Sequence, residues 1–218
     1  MSYARLVAVI VVCAVASASA KAQRNVSRDC KPDTASAWYS KQRAWLDDSK
    51  HGWSDDALRT ELLRATGLDQ TTSAPIQLGW EVPAGTVVTP DQTMITQLRT
   101  LATTRGSTWP TKSVAGAMGT RAVWLLTQHD TGLARAALKR MMEAGPEESN
   151  AADVATLEDR MRLQSGRKQI YGTQFRVASD GKLVLAPMED SAHVDLRRED
   201  AGLPPFKTSA CLAKVSLK

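Results

Sequence analysis

Apolar positions recur every three or four residues through most of the chain, and every second residue only near its end. The helical spacing predicts about six helices. The first runs over residues 33–50, with Asp33 as cap and Trp38, Lys41 and Trp45 on one side, and stops at His51-Gly52. Ser54 opens a second, with Leu58, Leu62 and Leu63 inward and Gly67 as terminator. Thr89-Pro90-Asp91-Gln92 is a compact start signal for a third. Its buried stripe is Met94, Ile95, Leu98, Leu101 and Ala102, and Gly106 closes it.

The central stretch, residues 113–130, places Val114, Met118, Ala122, Leu125 and Leu126 on one face. His129 falls four residues after Leu125, in the same stripe, while Arg121, Trp124 and Gln128 form an adjoining one. Two further helices are expected over 132–144 (Leu133, Ala137 and Met141 inward) and from a Ser149 or Asn150 cap to Gln164. In the latter Val154, Leu157 and Met161 face inward, and Glu158 is spaced to pair with Arg162. The period then changes to two. Residues 169–178 and 182–188 alternate around Ser179-Asp180-Gly181, which reads as a β-hairpin. The remaining tail is polar and holds Pro204-Pro205. The expected fold is mainly α (α+β): one helical domain with a C-terminal β-hairpin.

One segment breaks the pattern. Residues 69–89 hold Pro75, Gly79, Pro83 and Gly85 around Ile76, Leu78, Trp80 and Val82, and read mainly as loop.

Composition narrows the class. The chain has 218 residues, 43% of them hydrophobic, which suits one domain of ordinary size. The formal charge of +5 is spread out, with no basic run longer than Arg197-Arg198. A nucleic-acid reader concentrates its Lys and Arg, so nucleic acid is not an expected partner. The first residues have a signal-peptide layout: Arg5, an apolar run from Leu6 to Ala16, then Ala18-Ser19-Ala20, with Ala20-Lys21-Ala22 as a second cleavage option. This predicts a signal over 1–20, a mature domain over 21–218, a secreted or periplasmic location and no stable membrane insertion. Two cysteines then remain, Cys30 and Cys211. An even count in an exported chain reads as a disulfide, here closing a loop long enough to stabilise the fold by up to about 5 kcal/mol. Asn25-Val26-Ser27 is a glycosylation sequon, meaningful only in a eukaryotic secretory pathway.

The middle and end resemble a bacterial domain family known only as a domain of unknown function. The resemblance rests on Leu58-x-x-Glu61-Leu62-Leu63 with Asp69-Gln70, then Trp109-Pro110, Gly116, Trp124-Leu125 and Gln128-His129. It continues through Leu157-x-Asp159-Arg160, Gln169-x-Tyr171-Gly172-Thr173-Gln174, Pro187-Met188-Glu189-Asp190, Val194-Asp195-x-Arg197-Arg198 and Gly202-Leu203. Thr108 departs from the glycine usual before Trp-Pro, and the Pro/Gly-rich stretch after Asp69 looks like an insertion. The resemblance implies a fold and the position of a site, but no activity.

Candidate chemistry follows from the polar residues in these segments. Residues 106–113 end in Lys112-Ser113 but lack the glycine of a phosphate loop. His51, His129 and His193 have no tight ligand spacing, so no metal and no cofactor are expected. His129 is the best acid–base candidate, with Asp159 and Arg160 as catalytic or anchoring partners. A buried His129 bonded to backbone is the competing reading, and Asp159-Arg160 serves equally as a structural ion pair. Gln128, Tyr171, Gln174, Arg121 and Trp124 are candidate ligand-binding residues. Arg197, Arg198 and Asp195 read as a solvated turn. Two functions stay open: an envelope domain binding a small molecule or an envelope protein, and a small hydrolase-like enzyme using His129 with Asp159 or Arg160.

Overall fold

The computed structural model describes residues 36–50, 52–67, 91–179 and 183–212. The signal segment, the sequon, Cys30, the Asp33 cap, the whole 69–89 segment with Asp69-Gln70, Thr89-Pro90 and the tip of the hairpin turn lie outside the described residues.

Eight α-helices, one two-stranded antiparallel hairpin and two short 3-10 turns (Asp48–Lys50 and Ser191–His193) make up the regular structure among those residues: α1 (Ala37–Leu46), α2 (Asp56–Thr66), α3 (Gln92–Thr103), α4 (Lys112–Thr127), α5 (Thr131–Ala144), α6 (Ala151–Gln164), β1 (Phe175–Val177), β2 (Leu183–Leu185), α7 (Val194–Asp200) and α8 (Phe206–Leu212). The mainly helical class with a late hairpin is thus the observed one. Side chains just outside the helices set their starts. Asp55, rather than Ser54, caps α2 by accepting from Leu58 N at 2.9 Å. Asp91 caps α3, Asp130 caps α5 and Asn150 caps α6. Each satisfies a backbone N–H that the first helical turn leaves without a partner.

Helix α4 is the hub. It packs against α2, α3, α5 and α1, and every residue from Gly119 to Gln128 is buried. The predicted amphipathic face is therefore not what is observed: Val114 and Met118 are only half-buried, and the helix is enclosed on all sides further along. Leu62, Leu98, Leu126, Leu133 and Leu157, all fully buried, come from five different helices and meet around it. Each contributes about 2 kcal/mol of burial.

Gly116 interrupts α4 with a positive φ of 71°. The backbone groups freed there are taken up by other elements: Arg59 donates to Ala115 O at 2.8 Å, and Asp48 accepts from Ala117 N at 2.7 Å. A methyl group at Gly116 would lie 2.2 Å from Arg59 Nη1, so the position needs glycine on both counts.

The hairpin is shorter than the alternation predicts. Phe175 pairs with Leu185, Arg176 with Val184 and Val177 with Leu183, and among the described residues one bridge, Gln169 with Met188, lies beyond these. The tail is not simply polar wrapping, since it forms α7 and α8.

Candidate functional site

The polar residues singled out in the sequence fall into two groups, set on different faces of α6. Asp159 faces the segment 169–174. Its fully buried carboxylate accepts from Ile170 N (2.7 Å), Tyr171 N (3.0 Å), Thr173 N (3.0 Å) and Thr173 Oγ1 (2.9 Å). Gln169 ties the same segment from inside, accepting from Gln174 N and donating to Gln174 O and Ala186 O. Gln174 in turn donates to Thr156 O on α6. Arg197 donates to Ile170 O and Arg198 to Tyr171 O. Arg198 is 1% exposed and also donates to Pro204 O and Ser209 Oγ. The expectation of a solvated turn at Arg197-Arg198 is thus corrected. These cations face inward because the carbonyls of a non-helical segment need donors that backbone cannot supply. Burial lowers the Arg198 pKa to about 10, which still leaves it charged. Gly172, with φ of 68°, brings the segment against Phe206; a methyl there would lie 2.9 Å from the ring. This turn is also why the strands stop short of the predicted length.

The second group lies between α4 and α6. Arg121 pairs with Asp153, and its guanidinium stacks on the Trp124 ring at 4.0 Å. One helical repeat further, Arg160 donates to Gln128 Oε1 (3.1 Å), Gln128 O (3.0 Å) and Thr127 O (3.2 Å). The two contacts are seven residues apart on both helices and advance together, so α4 and α6 run in the same direction, with α5 as the return. Arg160 acts as a cationic cap on the carbonyl end of α4. Burial raises the Asp153 carboxyl to about 6 despite its arginine partner. Asp153 was not among the residues singled out from sequence. The signal that could have found it is the matched spacing, Arg121 to Gln128 and Asp153 to Arg160.

His129 departs from expectation. Helix α4 ends at Thr127, so His129 sits in the following turn and is exposed rather than embedded in the apolar stripe. The periodicity continues on paper past the point where the helix stops. Partial burial first, then the Arg160 charge, lowers its pKa below the usual histidine value. The charged neighbour that shapes it is thus a cation, not a carboxylate. Asp159 and Arg160, adjacent in sequence, point to different partners, and Asp159 is spent on the 169–174 segment. Glu158, expected to pair with Arg162, does not; Arg162 bonds Glu189 at 2.6 Å.

A cleft of about 350 Å³ opens between the end of α5, the start of α6 and α7. Met141, Met142, Val154 and Ala155 supply its apolar walls, with Tyr171, Ser149, Arg197 and Asp200 as polar lining. Of the candidate catalytic and ligand-binding residues named from sequence, Tyr171 alone reaches it. Burial, with the nearby Glu158 and Asp159 charges, holds its phenol above the ordinary tyrosine pKa, so it is a neutral donor. No group of three or more His, Cys, Asp or Glu among the described residues is placed to hold a metal ion. No described helix is long and apolar enough to cross a membrane.

Fold and site together define a mainly helical protein in which a knotted turn and a hairpin close one side of a helical core. The chain belongs to a family of unknown function, DUF6624, whose model matches residues 56–215. No curated protein and no solved structure matches the chain.

Proposed function

We propose that this is an exported ligand-binding domain of the cell envelope. In this reading residues 1–20 are removed as a signal, the mature chain is secreted or periplasmic, and Cys30 and Cys211 form its disulfide. The ligand is a small molecule with an apolar body, held between α5, α6 and α7. The observation that supports this is the cleft itself. Its volume of about 350 Å³ lies within the range of small-molecule sites, and its lining has their usual make-up, apolar walls with a few polar groups. Met141 and Met142 suit such a role because the thioether chain adapts to irregular apolar shapes. Tyr171 supplies a hydroxyl that orients a polar end. The hydrolytic alternative draws no support from the arrangement, since His129 adjoins a cation and Asp159 is committed to backbone.

The test uses the mature protein and an anilinonaphthalene sulfonate dye as probe. Saturable one-to-one fluorescence enhancement is expected. Ala151→Trp, which fills the cleft from a half-buried position, should abolish it while leaving the melting temperature unchanged. No saturable binding, or equal binding by the variant, would refute the reading.

A further inference from the structure

The cleft between α5, α6 and α7 holds a polar group that the fold leaves unused. Ser149, immediately before the Asn150 cap of α6, is 2% exposed and lines the cleft. Its backbone N–H donates to Gly145 O at 2.9 Å, but its hydroxyl makes no hydrogen bond to any described residue. Tyr171, packed on the cluster of Ala152, Ala155, Ala201 and Leu203, lines the same cleft, and its hydroxyl likewise has no partner among the described residues. A hydroxyl buried as deeply as that of Ser149 gives up water without gaining a bond from the protein. That is costly, and it calls for a partner from outside the chain.

The charges around the cleft, by contrast, are already answered. Arg197 spends its guanidinium on Ile170 O, Glu189 O, Asp190 O and the Asp190 carboxylate. Glu148, next to Ser149 in sequence, turns its carboxylate to Ser113. Asp200 is exposed, so water serves its carboxylate, and Lys41 lies on its backbone carbonyl at 3.3 Å. A carboxylate, phosphate or ammonium brought in beside Ser149 would lose hydration without gaining an ionic partner. The apolar wall, meanwhile, is left uncovered. Met142 lines the cleft and is 57% exposed, one of the few large apolar side chains so placed among the described residues.

We infer that the ligand is uncharged, an apolar molecule bearing a neutral hydroxyl or carbonyl group, and that the Ser149 hydroxyl takes that group. The inference rests on the reading of this cleft as a ligand site and narrows it to one chemical class. A serine hydroxyl both donates and accepts, so it serves an alcohol or a carbonyl oxygen without needing charge on either side. Tyr171 offers a second hydroxyl of the same kind elsewhere on the wall. The apolar body of the ligand covers Met141, Met142 and Val154. Any charged group it carries stays outside the cleft, in water.

The test reads displacement of N-phenyl-1-naphthylamine, an uncharged dye that brightens in apolar sites. The mature protein, loaded with the dye at pH 7.5, is titrated with octan-1-ol, octanoate and octylammonium. These share one chain length and differ in the charge of the head. Octanol is expected to displace the dye at a concentration about tenfold below that of either ion. Displacement by either ion as readily as by octanol, or none by octanol, overturns the inference and leaves the cleft as a ligand site. A dye that does not bind refutes the cleft itself, and the inference falls with it. Ser149→Ala removes the hydroxyl and keeps the backbone bond to Gly145. It should weaken octanol about fivefold and leave dye affinity and melting temperature unchanged. Unchanged octanol affinity in that variant, or a melting temperature lowered by several degrees, overturns the role given to Ser149.

Discussion

Two buried polar networks flank α6, and they differ in how fully they are satisfied. Around Asp159 the donors find acceptors: four converge on one carboxylate, Arg197 bonds Ile170 O and Asp190, and Arg198 bonds Tyr171 O, Pro204 O and Ser209 Oγ. Between α4 and α6 the account does not close, and three buried donors are left over. Both regions have charged side chains under 10% exposed, Asp159 and Arg198 in one and Arg121, Asp153 and Arg160 in the other, so burial alone does not separate them. A saturated network fixes one backbone path and has nothing left to offer a ligand. An unsaturated one holds donors ready, at a cost in stability that the fold must offset elsewhere. The motif residues Asp159, Gln169, Gly172, Gln174, Arg197 and Arg198 thus read as architecture, whereas Arg121, Trp124 and Arg160 join α4 to α6 with donors to spare.

The largest test of this contrast is Asp159→Ala. It leaves three backbone N–H groups and the Thr173 hydroxyl without an acceptor in a site where the native side chain is fully buried. A loss of about 4 kcal/mol in unfolding free energy is expected by denaturant titration. A loss below about 1 kcal/mol would show that the knot is not what holds the 169–174 segment, and the contrast would fail on its structural side.

The sequence made the frame legible but not the networks. Helix α3 was readable because the stripe of Met94, Ile95 and Leu98 obeys local rules, although its cap is Asp91 rather than the Thr89 of the start signal, and α5 and α6 were readable from their own stripes. Helix α7 was not, because its buried anchor is Arg198, where the pattern looks for a leucine. Helix α4 was located but its face was misjudged: enclosure by several neighbours erases the polar side on which periodicity depends. His129 was placed one turn too deep, since spacing carries no mark of where hydrogen bonding stops. The α4–α6 seam was partly visible. Arg121, Trp124, Gln128 and Arg160 do meet on one seam, but Asp153 completes it, and Asp159 leaves it for another partner despite being next to Arg160. Which face of α6 each residue serves is a tertiary fact, fixed by what packs against that face.

A test of intermediate size uses pH to probe the unsatisfied side. Burial raises Asp153 from 3.8 to about 6, so the folded state holds a proton that the unfolded state has already released. Between those values the native form binds more protons, and stability contributed by this group increases as pH falls from about 6 toward 3.8. Above about 6 the penalty for the buried charge is present in full. Other carboxylates, such as Asp130 and Asp190, are shifted downward and act with the opposite sign, so the quantity to measure is a difference. The stability of wild type minus that of Asp153→Asn should grow by about 2–3 kcal/mol between pH 7 and pH 4. A flat difference would show that Asp153 titrates normally and that the seam is wetter than the structure indicates.

The smallest expected effect belongs to His129, and it sharpens the boundary between the two kinds of network. The side chain is exposed, in the turn after α4, and accepts no structural burden from either network. His129→Ala should therefore change stability by less than about 0.5 kcal/mol at pH 7.5, by thermal or chemical denaturation. Its pKa lies below the usual 6.5, from burial first and the Arg160 charge second, so the native state prefers the neutral ring. The unfolded chain then takes up the proton first, and wild type should lose stability relative to the variant as pH falls through 6.5 and below. The two pH slopes thus have opposite signs on one seam: protonation favours the fold at Asp153 and disfavours it at His129. A drop of several degrees in melting temperature for His129→Ala at pH 7.5 would instead make the imidazole part of the support for Arg160. The Arg160 contacts with Thr127 and Gln128 would then be held by a side chain that the seam cannot do without.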